Sequence, residues 1–195
     1  PTEQAPALSV PPYTYADQAN TGPPAATSIK FIIFATPTGP YFSRKIRLYA
    51  ETRYIRAANG GTGEAKAAGN YAAAIRPTEL AKAQGYDQVL WLDAQNFENI
   101  LEVGTMNIFF KISGKFITPS LDGSVLAGVT RSSVIALLRH KGFEVTERVV
   151  SMKEIVEASK NGTLEEAFGT GTAVGIAMID EIGYRDQVIN MPESN

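Results

Sequence analysis

Gly60-Gly-Thr-Gly-Glu-Ala-Lys-Ala-Ala-Gly-Asn-Tyr71 places one lysine, Lys66, between two glycine-bearing turns, five residues ahead of a tyrosine. Glycine permits positive φ and lets backbone approach a ligand closely. A lysine held away from bulk water can lose its proton and attack a carbonyl carbon. The same residues also read as a flexible surface loop with a solvated lysine. Two familiar loop chemistries fail on particular positions. A P-loop requires Ser or Thr after the lysine to hold magnesium, and Lys66 is flanked by Ala65 and Ala67. A dinucleotide fingerprint counted from Gly61 requires glycine where Lys66 stands, after the first strand of a βαβ unit.

Upstream of this stretch, Ile46 to Ala50 and Tyr54 to Ala57 read as short strands leading into it. Farther back, Ile29-Lys-Phe-Ile-Ile-Phe-Ala35 is a β-branched, apolar run of the kind covered on both faces. It stops at the turn cluster Thr36-Pro-Thr-Gly-Pro40, which puts Tyr41 and Phe42 on a loop. Residues 1–28, rich in Pro and Ala, read as a linker or mobile arm. Downstream, Tyr71 to Gln84 reads as a helix stopped by Gly85 and kinked or restarted at Pro77. Strands follow at Gln88 to Asp93, Leu101 to Val103, Asn107 to Ile112 and Lys115 to Thr118. Helical spacing of Val134, Ile135, Leu137 and Leu138 ends at Gly142. His140, in the last turn of that helix, reads as a structural cation at a helix C-terminus. After a strand at Glu144 to Val149, Ser151-Met-Lys-Glu154 and Thr163-Leu-Glu-Glu166 both carry the capping-box signal for a helix. An apolar strand at Ala173 to Ile179 and a hairpin from Glu181 to Asn190 close the chain. The pattern predicts a mixed α/β (α+β) fold with a largely antiparallel, curled sheet.

Composition narrows the chemistry. The 195 residues suit one large domain with an appendage, and an apolar fraction of 44% is enough for a core. A net charge of −2 with scattered basic residues argues against a nucleic-acid partner. Without cysteine, thiolate chemistry and cysteine-held metals have no residues to use; a single histidine argues against a histidine-based metal site or a Ser-His-Asp triad, and no metal site is expected. No apolar run has the length to cross a bilayer, and the N-terminus lacks the basic start and apolar core of a signal peptide, so no membrane partner and a cytoplasmic setting are expected.

Two further segments have the makings of an anion site. Leu126-Ala-Gly-Val-Thr-Arg131 puts Gly128, Val129 and Thr130 at the start of a helix, where N–H groups and the helix dipole favour a phosphate. An ordinary threonine N-cap explains the same residues. Gly169 to Ala173 is a Gly/Thr turn able to present N–H groups as a nest, or simply a turn. Glu102, amid apolar strand residues, is either a buried carboxylate needing a cationic partner, such as a protonated ring nitrogen, or a glutamate on a wet sheet face. A lysine nucleophile, a phosphate cradle and a carboxylate for a pyridinium are the parts of a pyridoxal phosphate site.

Taken in order, Gly-Gly-Thr-Gly-Glu-Ala-Lys-Ala-Ala-Gly-Asn-Tyr, Gln-Val-Leu-Trp-Leu-Asp, Glu-Val-Gly-Thr-Met-Asn-Ile-Phe-Phe, Leu-Asp-Gly-Ser-Val-Leu-Ala-Gly-Val-Thr-Arg and Phe-Gly-Thr-Gly-Thr-Ala resemble the large domain of the branched-chain amino-acid aminotransferases, pyridoxal phosphate enzymes of fold type IV. The resemblance covers roughly Ile29 to Asn190 and implies a curled sheet or pseudo-barrel with flanking helices over residues 29–195. It implies transamination between leucine, isoleucine or valine and 2-oxoglutarate, with glutamate and the branched 2-oxo acids as counterparts, by a ping-pong mechanism. Lys66 would carry the internal aldimine and shuttle the substrate proton, Tyr71 would bond the cofactor's phenolic oxygen, and Glu102 would pair with its ring nitrogen. Gly128, Val129 and Thr130 would bind the phosphate, with Thr172 adding to the cradle and Gly171 shaping the turn. Ala173 would offer an N–H to the substrate carboxylate, and Tyr41 and Thr105 would line the side-chain pocket. A homodimer or higher homo-oligomer is implied as well.

Departures from the family pattern shape the alternatives. The family's smaller N-terminal domain and C-terminal helix have no counterpart in these residues, which raises the alternative of a catalytically incomplete large-domain fragment. The redox Cys-x-x-Cys of vertebrate members is replaced by Val174 and Ala177. A D-amino-acid aminotransferase or an aminodeoxychorismate lyase of the same fold is the other alternative, and Glu-Val-Gly-Thr-Met-Asn favours the branched-chain group over both.

Overall fold

The structure is a computed structural model that describes residues 7–19, 21–22 and 25–193. The chain divides into two compact units, Pro1–Tyr41 and Phe42–Asn195.

In the first unit, β1 (Ala7–Ser9) pairs antiparallel with β4 (Thr36–Thr38), and β2 (Pro12–Ala16) pairs antiparallel with β3 (Ile29–Ile33). Within the segment read as linker or arm, β1 and β2 are therefore ordered strands; Tyr13, Thr14 and Tyr15 are strand formers that find partners in β3. Residues 1–6 lie outside the described part. The strand at Ile29 is not covered on both faces as its composition predicts. Every position of β3 is exposed, Ile29 by 64%, because a two-stranded ribbon leaves both of its faces open.

The second unit is built on one nine-stranded sheet. Its strands are β5 (Ile46–Ala50), β6 (Gln88–Leu92), β7 (Ile100–Val103), β8 (Asn107–Ile112), β9 (Lys115–Pro119), β10 (Val145–Arg148), β11 (Leu164–Gly171), β12 (Gly175–Tyr184) and β13 (Gln187–Asn190). They run in the order β10-β9-β8-β11-β12-β5-β6-β7, with β13 added on β12. The pairs β10/β9, β12/β5 and β5/β6 are parallel and the others antiparallel. The sheet curls until β7, at the end of this order, returns beside β8, held by the bridge between Val103 and Met106. This is the mixed, largely antiparallel, curled sheet that the sequence predicts.

Three helices flank it: α1 (Ala68–Ala83), α2 (Val129–His140) and α3 (Met152–Lys160). The main core lies inside the curl, where Leu48, Leu90, Leu92, Ile108, Phe110, Ala167 and Ile182 are inaccessible to solvent. Two smaller clusters sit under α1, around Trp91, and under α2, where Phe109 and Phe168 stack at 5.1 Å.

Three local readings change. Tyr54 to Ala57 is not a strand, because the Glu51 carboxylate accepts from the Arg53 and Tyr54 N–H groups and turns the chain at the end of β5. α1 runs unbroken through Pro77, and the Thr78 hydroxyl donates to the Ala74 carbonyl inside the affected turn. Thr163 starts a strand segment, not a helix: its N–H and hydroxyl both donate to Ala158 O, closing the end of α3. Leu164, Ala167 and Phe168 are then buried in β11. The Ser151 signal holds, with its hydroxyl accepting from Glu154 N at 3.1 Å.

Candidate active site

The loop bearing Lys66 is fixed from two sides. From α1, the buried Asn70 donates through Nδ2 to Thr62 O at 2.7 Å and Ala65 O at 2.9 Å, and its Oδ1 accepts the Thr62 hydroxyl at 2.7 Å. From the segment ahead of α2, Gly123 O accepts the Glu64 N–H at 3.1 Å. Gly63 presses so closely on that segment that a Cβ there would stand 2.5 Å from Ser124 O and 2.6 Å from Ala57 Cβ. Lys66 itself is exposed at the end of this braced loop, with its charge felt at Glu102.

Glu102, in β7, is buried, with 3% of its surface exposed; the wet-face alternative is excluded. Its Oε2 meets the guanidinium of Arg56, and its Oε1 accepts from Leu126 N at 3.0 Å and Asn107 Nδ2 at 3.2 Å. Arg56 also donates to Gly63 O and Ser124 O, so one side chain joins the lysine loop, the carboxylate and the segment leading to α2. Loss of water pushes the Glu102 carboxyl up to about 7, while Arg56, the Leu126 N–H and Lys66 pull it down. Desolvation likewise raises the Tyr71 phenol, with the Arg56 charge opposing and the Glu102 charge adding to the rise.

A small cleft gathers Ala65, Tyr71, Glu102, Thr105 and Leu126, with Arg56 and Asn70 in its wall. Tyr71 stands in the first turn of α1, and Thr105 is exposed in the turn between β7 and β8. Gly128 is the N-cap of α2 in extended conformation, and no side chain caps that end, so the threonine-cap alternative is not realised. Val129 and Thr130 form its first turn, leaving N–H groups that a helix start cannot satisfy internally. Gly171 ends β11 with room for a Cβ only 3.5 Å from Met106 Cγ, which sets the Thr172–Val174 turn beside the turn of Thr105. Of the expected Gly169–Ala173 turn, Gly169, Thr170 and Gly171 belong to β11, and Thr172 and Ala173 alone turn. All cleft residues belong to the second unit; Tyr41 is an exposed residue of the first.

A larger cavity of about 420 Å³, lined by Asn59, Asp93, Asn99 and Asp122, lacks Glu102 and Tyr71. Its Asp93 is spent on holding Glu98 N, Asn99 N and Asn99 Nδ2. The chemistry therefore belongs to the smaller cleft. The parts there fit a phosphorylated pyridine aldehyde: an amine on a braced loop, a desolvated carboxylate for a ring N–H, and an uncapped helix start for a phosphate. The Thr170 hydroxyl, buried without a protein partner, lies opposite Asn107 on the ladder and is a further group left for a ligand or water.

Arg56, Asn70 and Asn107 are the residues that sequence reasoning missed. Asn70 and Asn107 sit inside the motifs quoted above, so the signal was there; Arg56 precedes them with nothing local to mark it.

Comparison with known proteins places this geometry. The chain is 42% identical over 194 residues to branched-chain-amino-acid aminotransferase 2 of Bacillus subtilis (strain 168), covering 98% of this chain and 53% of that protein. It is 42% identical over 200 residues to a probable branched-chain-amino-acid aminotransferase of Staphylococcus aureus (strain N315), covering 100% of this chain and 56% of the relative. The chain thus spans about half the length of the curated relatives it matches. Its fold matches the crystal structure of a branched-chain aminotransferase from Thermoproteus uzoniensis with norvaline, with a TM-score of 0.83 and 27% identity over 96% of this chain and 60% of that one. It also matches the branched-chain amino acid aminotransferase of Thermobaculum terrenum in its PLP form, with a TM-score of 0.71 and 28% identity over 88% of this chain and 54% of the other. The model of the class IV amino-transferases matches residues 12–182, and the chain belongs to that family.

Proposed function

We propose that this chain forms the pyridoxal phosphate-binding part of a branched-chain-amino-acid aminotransferase, which moves an amino group between leucine, isoleucine or valine and 2-oxoglutarate in a ping-pong cycle. The observation that carries the reading is one cleft that gathers Ala65 of the Lys66 loop, Tyr71, the buried Glu102 and Leu126, two residues ahead of the uncapped start of α2, in a chain 42% identical to a branched-chain enzyme. Residues 29–195 are the cofactor-binding large domain in this reading.

When bound, pyridoxal phosphate supplies a carbonyl for amines and a ring that takes up the electrons of the substrate α-carbon. The chain's own residues do the rest. Lys66 Nζ would be the amine that holds the cofactor and would carry a proton to and from the substrate α-carbon. Glu102, held by Arg56, Leu126 N and Asn107, accepts from the ring N–H and keeps that nitrogen protonated. The Tyr71 phenol donates to the ring's phenolic oxygen. Backbone N–H groups of Val129 and Thr130 would hold the phosphate, at a helix start that Gly128 opens with its own N–H donated to Leu126 O, joined by Thr172 on the turn after Gly171. The Ala173 N–H receives the substrate carboxylate, and Thr105 bounds the pocket for its apolar side chain. In keeping with the family, the working assembly is a homodimer or larger homo-oligomer, and the setting is the cytoplasm; among the described residues no helix is long and apolar enough to cross a membrane.

The test is spectroscopic. Pyridoxal phosphate added to the chain turns it yellow, and borohydride fixes the cofactor's mass on the peptide containing Lys66. Colour of equal strength in Lys66→Ala removes the lysine assignment. Leucine bleaches the colour where D-alanine does not; the reverse points to a D-amino-acid enzyme. Because the chain spans 53% of its relative, a second reading, a part that binds cofactor without turnover, is met by colour that no amino acid bleaches.

A further inference from the structure

Asn107 opens β8 and is 5% exposed. Its single side-chain amide nitrogen donates twice, to Glu102 Oε1 at 3.2 Å and to Leu126 O at 2.8 Å. Leu126 in turn is bonded through both of its backbone groups. Its N–H donates to the same Glu102 oxygen at 3.0 Å, and its carbonyl also accepts the Gly128 N–H at 2.9 Å. The Asn107 Oδ1 then lies against Gly128 so closely that a Cβ there would be 2.2 Å away. Glu102 and the first residue of the α2 cradle are thus joined through one buried side-chain amide and the backbone of one residue.

We infer that Asn107 is a positioning residue that couples the charge state of Glu102 to the geometry of the α2 N-terminal turn. An ionised carboxylate accepts from both Asn107 and Leu126, whereas a protonated one loses acceptor strength and directs its own O–H. Asn107 transmits that change because the atom that feels Glu102 is the atom that holds Leu126 O, and its other end fills the space beside Gly128. A low local dielectric strengthens each link, and no exposed hydrogen bond competes for the amide. The other charged or titratable groups facing Glu102 are Arg56, Lys66 and Tyr71, on the lysine loop, the segment before it and α1. The consequence is that the two ends of the cofactor site are set together: charge on the carboxylate that meets the ring and donor geometry at the phosphate. This last statement rests on the proposed function, while the coupling itself does not.

The coupling is read in the cofactor-free, ¹⁵N-labelled chain by following amide signals through neutral pH. The expected result is that Gly128, Val129 and Thr130 shift with the same midpoint as the Glu102 side chain, and that this shift vanishes in Glu102→Gln. In Asn107→Leu it shrinks severalfold at Gly128 to Thr130 but keeps its full size at Leu126, whose N–H touches Glu102 directly. Asn107→Ala serves if the leucine variant does not fold. Full-sized shifts at Gly128 to Thr130 in a folded Asn107 variant, or their absence in the unaltered chain, overturn the inference. A second readout compares pyridoxal phosphate with pyridoxal. Asn107→Ala should shrink the affinity gap between them about tenfold, the scale of one hydrogen bond, whereas a residue that only supports the fold weakens both equally. Failure of the unaltered chain to bind either compound defeats the proposed function and leaves the amide result standing.

Discussion

The guanidinium of Arg56 rests on Glu102 Oε2 with both side chains buried, at 8% and 4% exposure. An ion pair so placed contributes little net stability over an apolar pair, yet breaking it strands a charge. Arg56→Met should therefore cost about 3–5 kcal/mol at pH ~8, where Glu102 is ionised. At pH ~5 the carboxyl takes up a proton and the cost should shrink. Urea unfolding at the two pH values measures both.

Glu102 sets a pH dependence of its own. Its carboxyl is raised from 4.5 to about 7 by burial, so the folded chain binds this proton more tightly than the unfolded one. The stability from this group is full below about 4.5 and is lost as pH climbs to about 7, on the order of 3 kcal/mol in all. Glu102→Gln should remove that slope between the two values. An unchanged slope in melts of the variant would assign it elsewhere.

Gly63 should be intolerant of any side chain. Ala57 Cβ and the Ser124 backbone occupy the place of a Cβ, so Gly63→Ala must part the lysine loop from the segment ahead of α2. A loss of about 1–3 kcal/mol is expected by denaturant unfolding. Gly60→Ala, with nothing within 4 Å but a positive φ of 79°, should be strained without a clash and makes a useful contrast.

Asn70→Ala deletes three hydrogen bonds that brace the Lys66 loop. The expected loss is roughly 2 kcal/mol. Trypsin should then cut after Lys66 several times faster than in the unaltered chain, a local effect that leaves cutting elsewhere unchanged.

The sequence discloses the residues whose chemistry is unusual for their surroundings. Lys66 among glycines, Glu102 among apolar strand residues, and Gly128 ahead of a helix are visible because type and neighbours conflict. Asn70 and Asn107 lie inside the same motifs, but Arg56 is not legible, since it donates to a carbonyl 68 positions away. The local misreadings have the same origin. Thr163 carries a helix-start pattern, but its hydrogen bonds are committed to the helix before it. Ile29 to Ala35 has the composition of a covered strand, and composition does not say whether a second layer is there. Curling of the sheet was legible as a class but not as a geometry, because its strand order rests on pairings between segments far apart in sequence, such as β12 with β5.

The bond from Glu64 N–H to Gly123 O joins two loops that belong to opposite ends of the site. Alongside the Arg56 side chain, which bonds Gly63 O and Ser124 O, the backbone itself therefore sets how far the amine stands from the helix start. The Glu64 amide proton becomes a built-in gauge of assembly: its exchange with deuterium slows when the two loops are locked and quickens when they part. Among the described residues it offers a direct way to watch the site come together before any ligand is added.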